Sequence, residues 1–241
     1  MTTLQVYTFA PAWGLPSTGP FALKLLAWLG AEGIPHTQVV ENRADKGPLG
    51  KSPWIERGGE RMGDSDAIIR TLAAERRQPD PTQARTAEEA CAQAMRLAFE
   101  ERFHQVLEWE LFVHPAGADG MRDFLRTVLP PLVRDAVFAS LRRHFRRQLH
   151  ARGLGRLTPA EIETEGRALL AMLALRVAEG GWVSPAGPDL PDFAVWGQVA
   201  PLLHWPMRTP VAEAAKADTA IADWAARVAA AGGLATRRAA A

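Results

Sequence analysis

Three short stretches carry side chains whose types and spacing suit a charged, extended ligand. Ser17-Thr18 stands just ahead of Gly19-Pro20-Phe21, Lys51-Ser52-Pro53 leads into an apolar run, and Asp64-Ser65 precedes the periodic segment AIIRTLAAE. A serine at a helix start adds a hydroxyl to free backbone N–H groups and a partial positive charge, which together hold a carboxylate. Asp64 beside it would take an ammonium group, so the pair suits the charged end of an amino acid. Lys51 would attract a second carboxylate. Each stretch also has a plain structural reading: Asp64-Ser65 as an N-cap, Pro53 as a strand-opening proline, and Thr18 as the cap of a first helix.

Strands and helices must hold these groups. LQVYTF (4–9) is branched and aromatic and predicts a strand. Phe21, Leu25, Trp28 and Leu29 then fall at helical spacing, with Pro20 suited to the first turn and Gly30 and Gly33 to the stop. HTQVVE (36–41) predicts a second strand. PWIER (53–57) and GERMG (59–63), joined at Gly58-Gly59, predict a hairpin that runs into the Asp64-Ser65 cap. The order is βαβ–ββα. RRQPDPTQA, with two prolines, reads as a linker. Beyond it the patterns are helical: 86–113, then 120–150 bent near Pro130-Pro131. Another begins at the capping box Thr158-Pro159-Ala160-Glu161, another at Asp189 to Asp192, and a last one spans 209–230. The expected plan is a small α/β domain (1–76), a linker (77–85), an all-α domain (86–232) and a frayed tail (233–241).

Composition narrows the function. With 241 residues and 47% hydrophobic content the chain can bury a sizeable core. A net charge of +1 gives no global pull toward nucleic acid or an anionic membrane. Cys91 is the single cysteine, which excludes an internal disulfide and cysteine-rich zinc sites. No stretch approaches the roughly 18 uncharged apolar residues of a membrane helix, and Met1-Thr2-Thr3 does not read as a signal peptide. The expectation is a cytoplasmic protein.

Pro53 at a strand start, the hairpin, Asp64-Ser65 at a helix start and the Asp189-to-Asp192 cap together resemble the glutathione S-transferase superfamily. The resemblance covers almost the whole chain. It implies a thioredoxin-like domain followed by an all-helical domain, with glutathione as co-substrate and no metal. It implies a cis peptide before Pro53, which leaves the Ser52 N–H and C=O free to pair with an extended peptide as an added strand. Lys51, Ser52, Pro53, Asp64 and Ser65 become the glutathione-binding residues. Lys24, Gly50 to Pro53, Asp64-Ser65 and RGLGRLTPAEI (152–162) resemble more narrowly the metaxin-like branch that includes the failed axon connections proteins.

In this superfamily a Ser, Tyr or Cys near the start of the first helix stabilises the glutathione thiolate or acts in its place. The residue directly before Pro-Phe is here Gly19, which has no side chain. Ser17 and Thr18 are therefore the catalytic candidates, at an atypical position. Tyr7 lies within a strand and reads as packed. Cys91 shares an apolar stripe with Met95 and Ala98 and reads as a buried small hydrophobe. Trp13, Trp54, His104 and Trp109 are candidates for an acceptor pocket, core packing being the alternative for the last two. The six histidines show no metal-ligand spacing.

LRRHFRRQLHARGLGR (141–156) holds six arginines and no acid. Its paired arginines read as a solvated face matched to the acids of 161–165, with an anion, a membrane surface or RNA as the alternative. Two functions follow. One is a transferase that joins glutathione to a hydrophobic electrophile or acts on a mixed disulfide. The other is a non-catalytic adaptor that keeps the fold. Neither needs nucleic acid, and a homodimer stays open.

Overall fold

A computed structural model describes residues 3–234. Strands β1 (Leu4–Thr8), β2 (His36–Val40), β3 (Trp54–Arg57) and β4 (Glu60–Gly63) form one sheet in the order β2-β1-β3-β4. β1 and β2 are parallel and joined through helix α1 (Pro20–Ala31), while β3 runs antiparallel to both β1 and β4. Gly58 and Gly59 both take positive φ, 63° and 88°, and make the tight β3–β4 turn. Helix α2 (Ser65–Glu75) closes this half. The expected βαβ–ββα order is the observed one.

The rest of the described chain is largely helical: α3 (Ala87–Ala98), α4 (His104–Phe112), α5 (Pro115–Val128), α6 (Pro131–Ala151), α7 (Pro159–Val177), α8 (Leu190–His204), α9 (Pro210–Ala217) and α10 (Thr219–Ala231). A π-helical turn over Phe99–Phe103 separates α3 from α4. Pro130-Pro131 breaks the chain between α5 and α6 rather than merely bending it. The last predicted helix is also two: Asp218 leaves the helical region (φ −91°, ψ 111°), and its side chain caps α10 through the Ile221 N–H. Residues 235–241 of the expected frayed tail lie outside the described residues.

One apolar core runs through both halves, from Leu4 and Val6 in the sheet through Leu23, Leu26 and Trp28 of α1 to Trp196 and Trp224. α1 and α8 meet at its centre, where a Cβ on Gly197 would lie 2.5 Å from the Pro20 carbonyl oxygen. That contact fixes the start of α1 against the helical region. Cys91 departs from expectation and is exposed. The inward face of this segment is Ala92, Arg96, Phe99 and Phe103, one position off the Cys91 stripe. Arg96 belongs there because it is paired.

Its partners form a buried polar knot. Lys24 Nζ lies 2.8 Å from Asp66 Oδ1 and 2.5 Å from Glu100 Oε1, and Arg96 lies 2.8 Å from Asp66 and 2.9 Å from Glu100. Two positive and two negative groups thus tie α1, α2 and α3 to the π turn. Isolated buried charges would be costly, and the closed ring offsets that cost. Burial pushes the Asp66 carboxyl up, but Lys24 and Arg96 outweigh it and hold it below the ordinary value.

Candidate functional site

The site starts from strand register. β3 and β4 pair Trp54 with Gly63, so the residues just before Trp54 and just after Gly63 leave the sheet side by side. These are Ser52-Pro53 and Asp64-Ser65. Tyr7 of β1 pairs with Trp54 from the other side, which brings the end of β1 to the same edge. The Ser52–Pro53 peptide is cis. Ser52 takes no part in the backbone hydrogen bonds of the described residues, and its Oγ is buried without a partner.

At the start of α2, Asp64 has φ 69° and ψ 115°, a conformation rare outside glycine, and conformations of this kind cost about 1–3 kcal/mol. Its Oδ1 accepts from the Ala67 N–H at 2.9 Å, which satisfies one donor of the first turn. The amides of Ser65 and Asp66 and the Ser65 hydroxyl have no partner among the described residues. The N-cap reading of Asp64 therefore holds, and it still leaves a second carboxylate oxygen and two amides open.

At the start of α1 the cap is Gly19, with no side-chain cap. The Gly19 N–H donates to Ser17 Oγ at 3.1 Å, and Ser17 is fully buried. Ser17 is thus turned inward to the backbone. Thr18 donates its N–H to the Ala10 carbonyl at 3.1 Å and is half-buried, leaving its hydroxyl as the one that faces outward here. The Phe21 amide has no backbone partner among the described residues.

A cavity of about 600 Å³ opens beside these groups and is lined by Trp13, Thr18, Gly19, Lys51, Ser52 and His104, among others. Its far wall combines apolar side chains, Leu107, Leu111, Phe112, Met121 and Phe145, with a few polar groups. His104 Nδ1 lies 2.9 Å from Gln198 Oε1, and His104 Nε2 lies 3.3 Å from Glu108. Arg152 pairs with Glu101 at 3.2 Å and stands 3.6 Å from Glu108, whose Oε2 is buried without a hydrogen bond. Sequence reasoning missed Glu108, Arg152 and Gln148 of this lining. Their only signal is position on helices that face α1.

Pro53, Asp64 and Ser65 lie along the same sheet edge, outside the lining itself. Trp54 and Trp109 are elsewhere. Trp54 is buried, its ring stacked on Tyr7 at 3.6 Å with Arg61 over its face. The Tyr7 hydroxyl donates to Gln5 Oε1, away from the cavity. Trp109 packs edge-on to His114 and lines a different cavity, between α4 and the end of α6. Among the described residues no group of His, Cys, Asp and Glu could hold a metal ion.

Residues 20–117 match the glutathione S-transferase N-terminal domain. The chain is 31% identical over 113 residues to an isoprene-epoxide–glutathione S-transferase of Rhodococcus sp., covering 45% of this chain and 44% of that one. The theta class glutathione S-transferase of Xanthomonas axonopodis pv. citri, solved with glutathione bound, has the same fold, with a TM-score of 0.57 and 16% identity over 99% of both chains. Residues 20–117 thus carry the signature of the glutathione S-transferase superfamily, and the chain as a whole has its fold. A thioredoxin-like half and a helical half are the fold of that superfamily. Failed axon connections of Drosophila melanogaster is 32% identical over 71 residues, 30% of this chain and 17% of its own. The chain thus spans less than half the length of either curated relative. No helix among the described residues is long and apolar enough to cross a membrane.

Proposed function

We propose that this chain binds glutathione along the edge formed by Ser52, Asp64 and Ser65 and joins it through its sulfur to a small electrophile in the adjoining cavity. The observation that supports this is the convergence of open donors. Ser52, Thr18 and Phe21 share one cavity lining, and the open Ser65 amide and hydroxyl leave the sheet beside Ser52.

In this reading the γ-glutamyl carboxylate takes the Ser65 N–H and hydroxyl, and the ammonium takes the free oxygen of Asp64. The cysteinyl backbone pairs with Ser52 as an added strand, and Lys51 holds the glycyl carboxylate. The sulfur then lies at the start of α1, where the helix dipole and the Thr18 hydroxyl stabilise the thiolate. The Rhodococcus relative's name points to epoxides. The thiolate forms a C–S bond, the epoxide C–O bond breaks, and the oxygen takes a proton. Water in the open cavity supplies that proton and takes up the one released by the thiol, while His104, held between Gln198 and Glu108, lines the wall beside it.

A second reading, a non-catalytic glutathione-binding or adaptor protein of the metaxin-like branch, rests on Gly19 and the inward turn of Ser17. The short likeness to Failed axon connections favours it. Calorimetry with glutathione separates the outcomes. Binding is expected, and Ser65→Ala weakens it about 10- to 100-fold by removing a charge-assisted hydrogen bond. No binding to the wild-type chain at millimolar glutathione overturns the transferase reading. Binding with the thiol pKa left at its free value, read from thiolate absorbance, selects the adaptor. A pKa lowered in the wild type and restored toward the free value in Thr18→Val selects the transferase.

A further inference from the structure

The arginine run on α6 is not paired as its sequence suggests. Glu161 bonds to Thr158, Glu163 pairs with Arg167 at 2.8 Å, and Glu165 pairs with Arg102. Arg122, Arg142, Arg143, Arg146 and Arg147 form no salt bridge among the described residues. They line a groove of about 670 Å³ between α5 and α6, together with Arg126 and Asp135. Three acids lie nearby. Asp123 is paired with Arg126 at 2.7 Å, Asp135 sits in the lining, and Asp119 acts on Arg142 from α5. Burial, with Arg146 and Arg122 alongside, lowers the Arg142 pKa, and its Nε is buried without a partner. The arginines outnumber these acids and stand crowded together.

An independent feature lies at the other end of the same hairpin. Leu132 is 96% exposed, Val133 44% and Val128 38%, around the Pro130-Pro131 break. Helical periodicity puts Leu132, Ala139, Arg143, Arg146 and His150 on one face of α6, and all five are exposed. The hairpin is held by a small apolar cluster of its own, built on Ala118, Met121, Leu125 and Phe138.

We propose that the α5–α6 hairpin docks this protein on an anionic lipid surface, with Leu132 and its neighbours entering the interface and the arginines facing the headgroups. A helix with apolar residues at one end and clustered arginines along the same face has the make-up of an interfacial element. Nucleic acid fits less well. It would leave Leu132, Val133 and Val128 in water, and the nearby Phe138 and Phe145 are taken up, Phe138 in the core and Phe145 stacked on Phe112 at 3.9 Å. A second copy meeting this face across a two-fold axis would set arginine against arginine.

Flotation of the full chain with vesicles tests this. Phosphatidylcholine vesicles containing phosphatidylserine are expected to carry the protein in low salt, and pure phosphatidylcholine is not. High salt releases it, because exposed charges more than about 10 Å apart are screened at 0.1 M. Each arginine at an anionic surface is worth about 5-fold, so Arg143→Glu with Arg146→Glu weakens binding by about 25-fold or more. Leu132→Ser weakens it by about 5-fold. Both variants touch exposed side chains away from the glutathione cavity, so unchanged glutathione binding and an unchanged circular dichroism melt verify their fold. The proposal is overturned by absence of flotation, by equal flotation on neutral vesicles, or by flotation that both variants leave intact. It is also overturned if a single-stranded RNA binds more tightly than the anionic vesicles at the same salt, or if Leu132→Ser dissociates a dimer in sedimentation.

Discussion

Helices α1 and α8 are both almost wholly apolar, both begin with proline in the first turn, and they pack against each other at the centre of the molecule. Their N-termini are built in opposite ways. At α8, Asp189 accepts from the Leu190 N–H at 2.7 Å, and Asp192 accepts from Val183 N–H at 2.8 Å, Ser184 N–H at 2.9 Å and Trp224 Nε1 at 2.9 Å. Every one of these groups is turned to structure. At α1 the cap is a glycine, no side chain closes the first turn, and the Phe21 amide and Thr18 hydroxyl stand beside a cavity. The same kind of element thus closes its start with side chains at one end of the contact and leaves its donors open at the other.

Asp192 gives the largest expected effect. Asp192→Ala leaves two buried amides and the Trp224 indole N–H without an acceptor, and each orphaned buried donor costs about 1–3 kcal/mol. Unfolding in urea is expected to show a loss of about 4 kcal/mol. A loss below about 1 kcal/mol would mean that water reaches these donors and that the α8 start is not the closed structure described.

The contrast between these two helix starts was legible in the residues to an unequal degree. The Asp189-to-Asp192 cap and the Gly58-Gly59 hairpin use strictly local signals, and both elements formed as read. The Gly19 gap is equally local. The lone lysine in the apolar run PFALKLLAW was a visible irregularity, but its carboxylate partners lie 42 and 76 residues further along the chain. No local pattern pairs them. Periodicity assigned Cys91 to the inward face because it treats cysteine as apolar, whereas the helix turned by one residue to bury a paired Arg96. The acids at 161–165 suited the arginine run by charge alone. On α7, Glu161 closes the capping box with Thr158 while Glu163 and Glu165 pair with Arg167 and Arg102, and charge pattern carries no tertiary position. Trp54 and Trp109 failed as cavity residues for a related reason: an aromatic signals burial without saying on which side.

The buried ring sharpens the comparison from the α1 side. α1 lacks a closed N-terminus but carries Lys24, whose charge is held by Asp66 and Glu100. Lys24→Met strands two carboxylates opposite Arg96 alone and is expected to lower stability by about 3 kcal/mol. The pH profile checks the cause. Because the folded pKa of Asp66 is depressed, its contribution is present in full above the ordinary value of 3.8 and is lost as the pH falls through the folded value. Below that ordinary value the wild-type chain should therefore lose stability more steeply than Lys24→Met. Parallel acid limbs would show that Lys24 does not set the Asp66 pKa.

The smallest effect comes from giving α1 the side chain it lacks. Gly19 has φ −90° and ψ 118°, which any residue adopts, and an added Cβ would meet Phe9 at 3.3 Å and Ser17 Oγ at 3.6 Å. Phe9 has to give by a few tenths of an ångström. Serine is a better cap than glycine by only a few tenths of a kcal/mol, so Gly19→Ser should leave the melting temperature nearly unchanged. Its effect on the bound thiol is the informative readout. If Thr18 already donates to the sulfur, a second hydroxyl at Gly19 lowers the thiol pKa little further. A large drop, with conjugation activity appearing only in Gly19→Ser, would show that the open start of α1 serves binding alone and that glycine there marks a protein which holds glutathione without activating it.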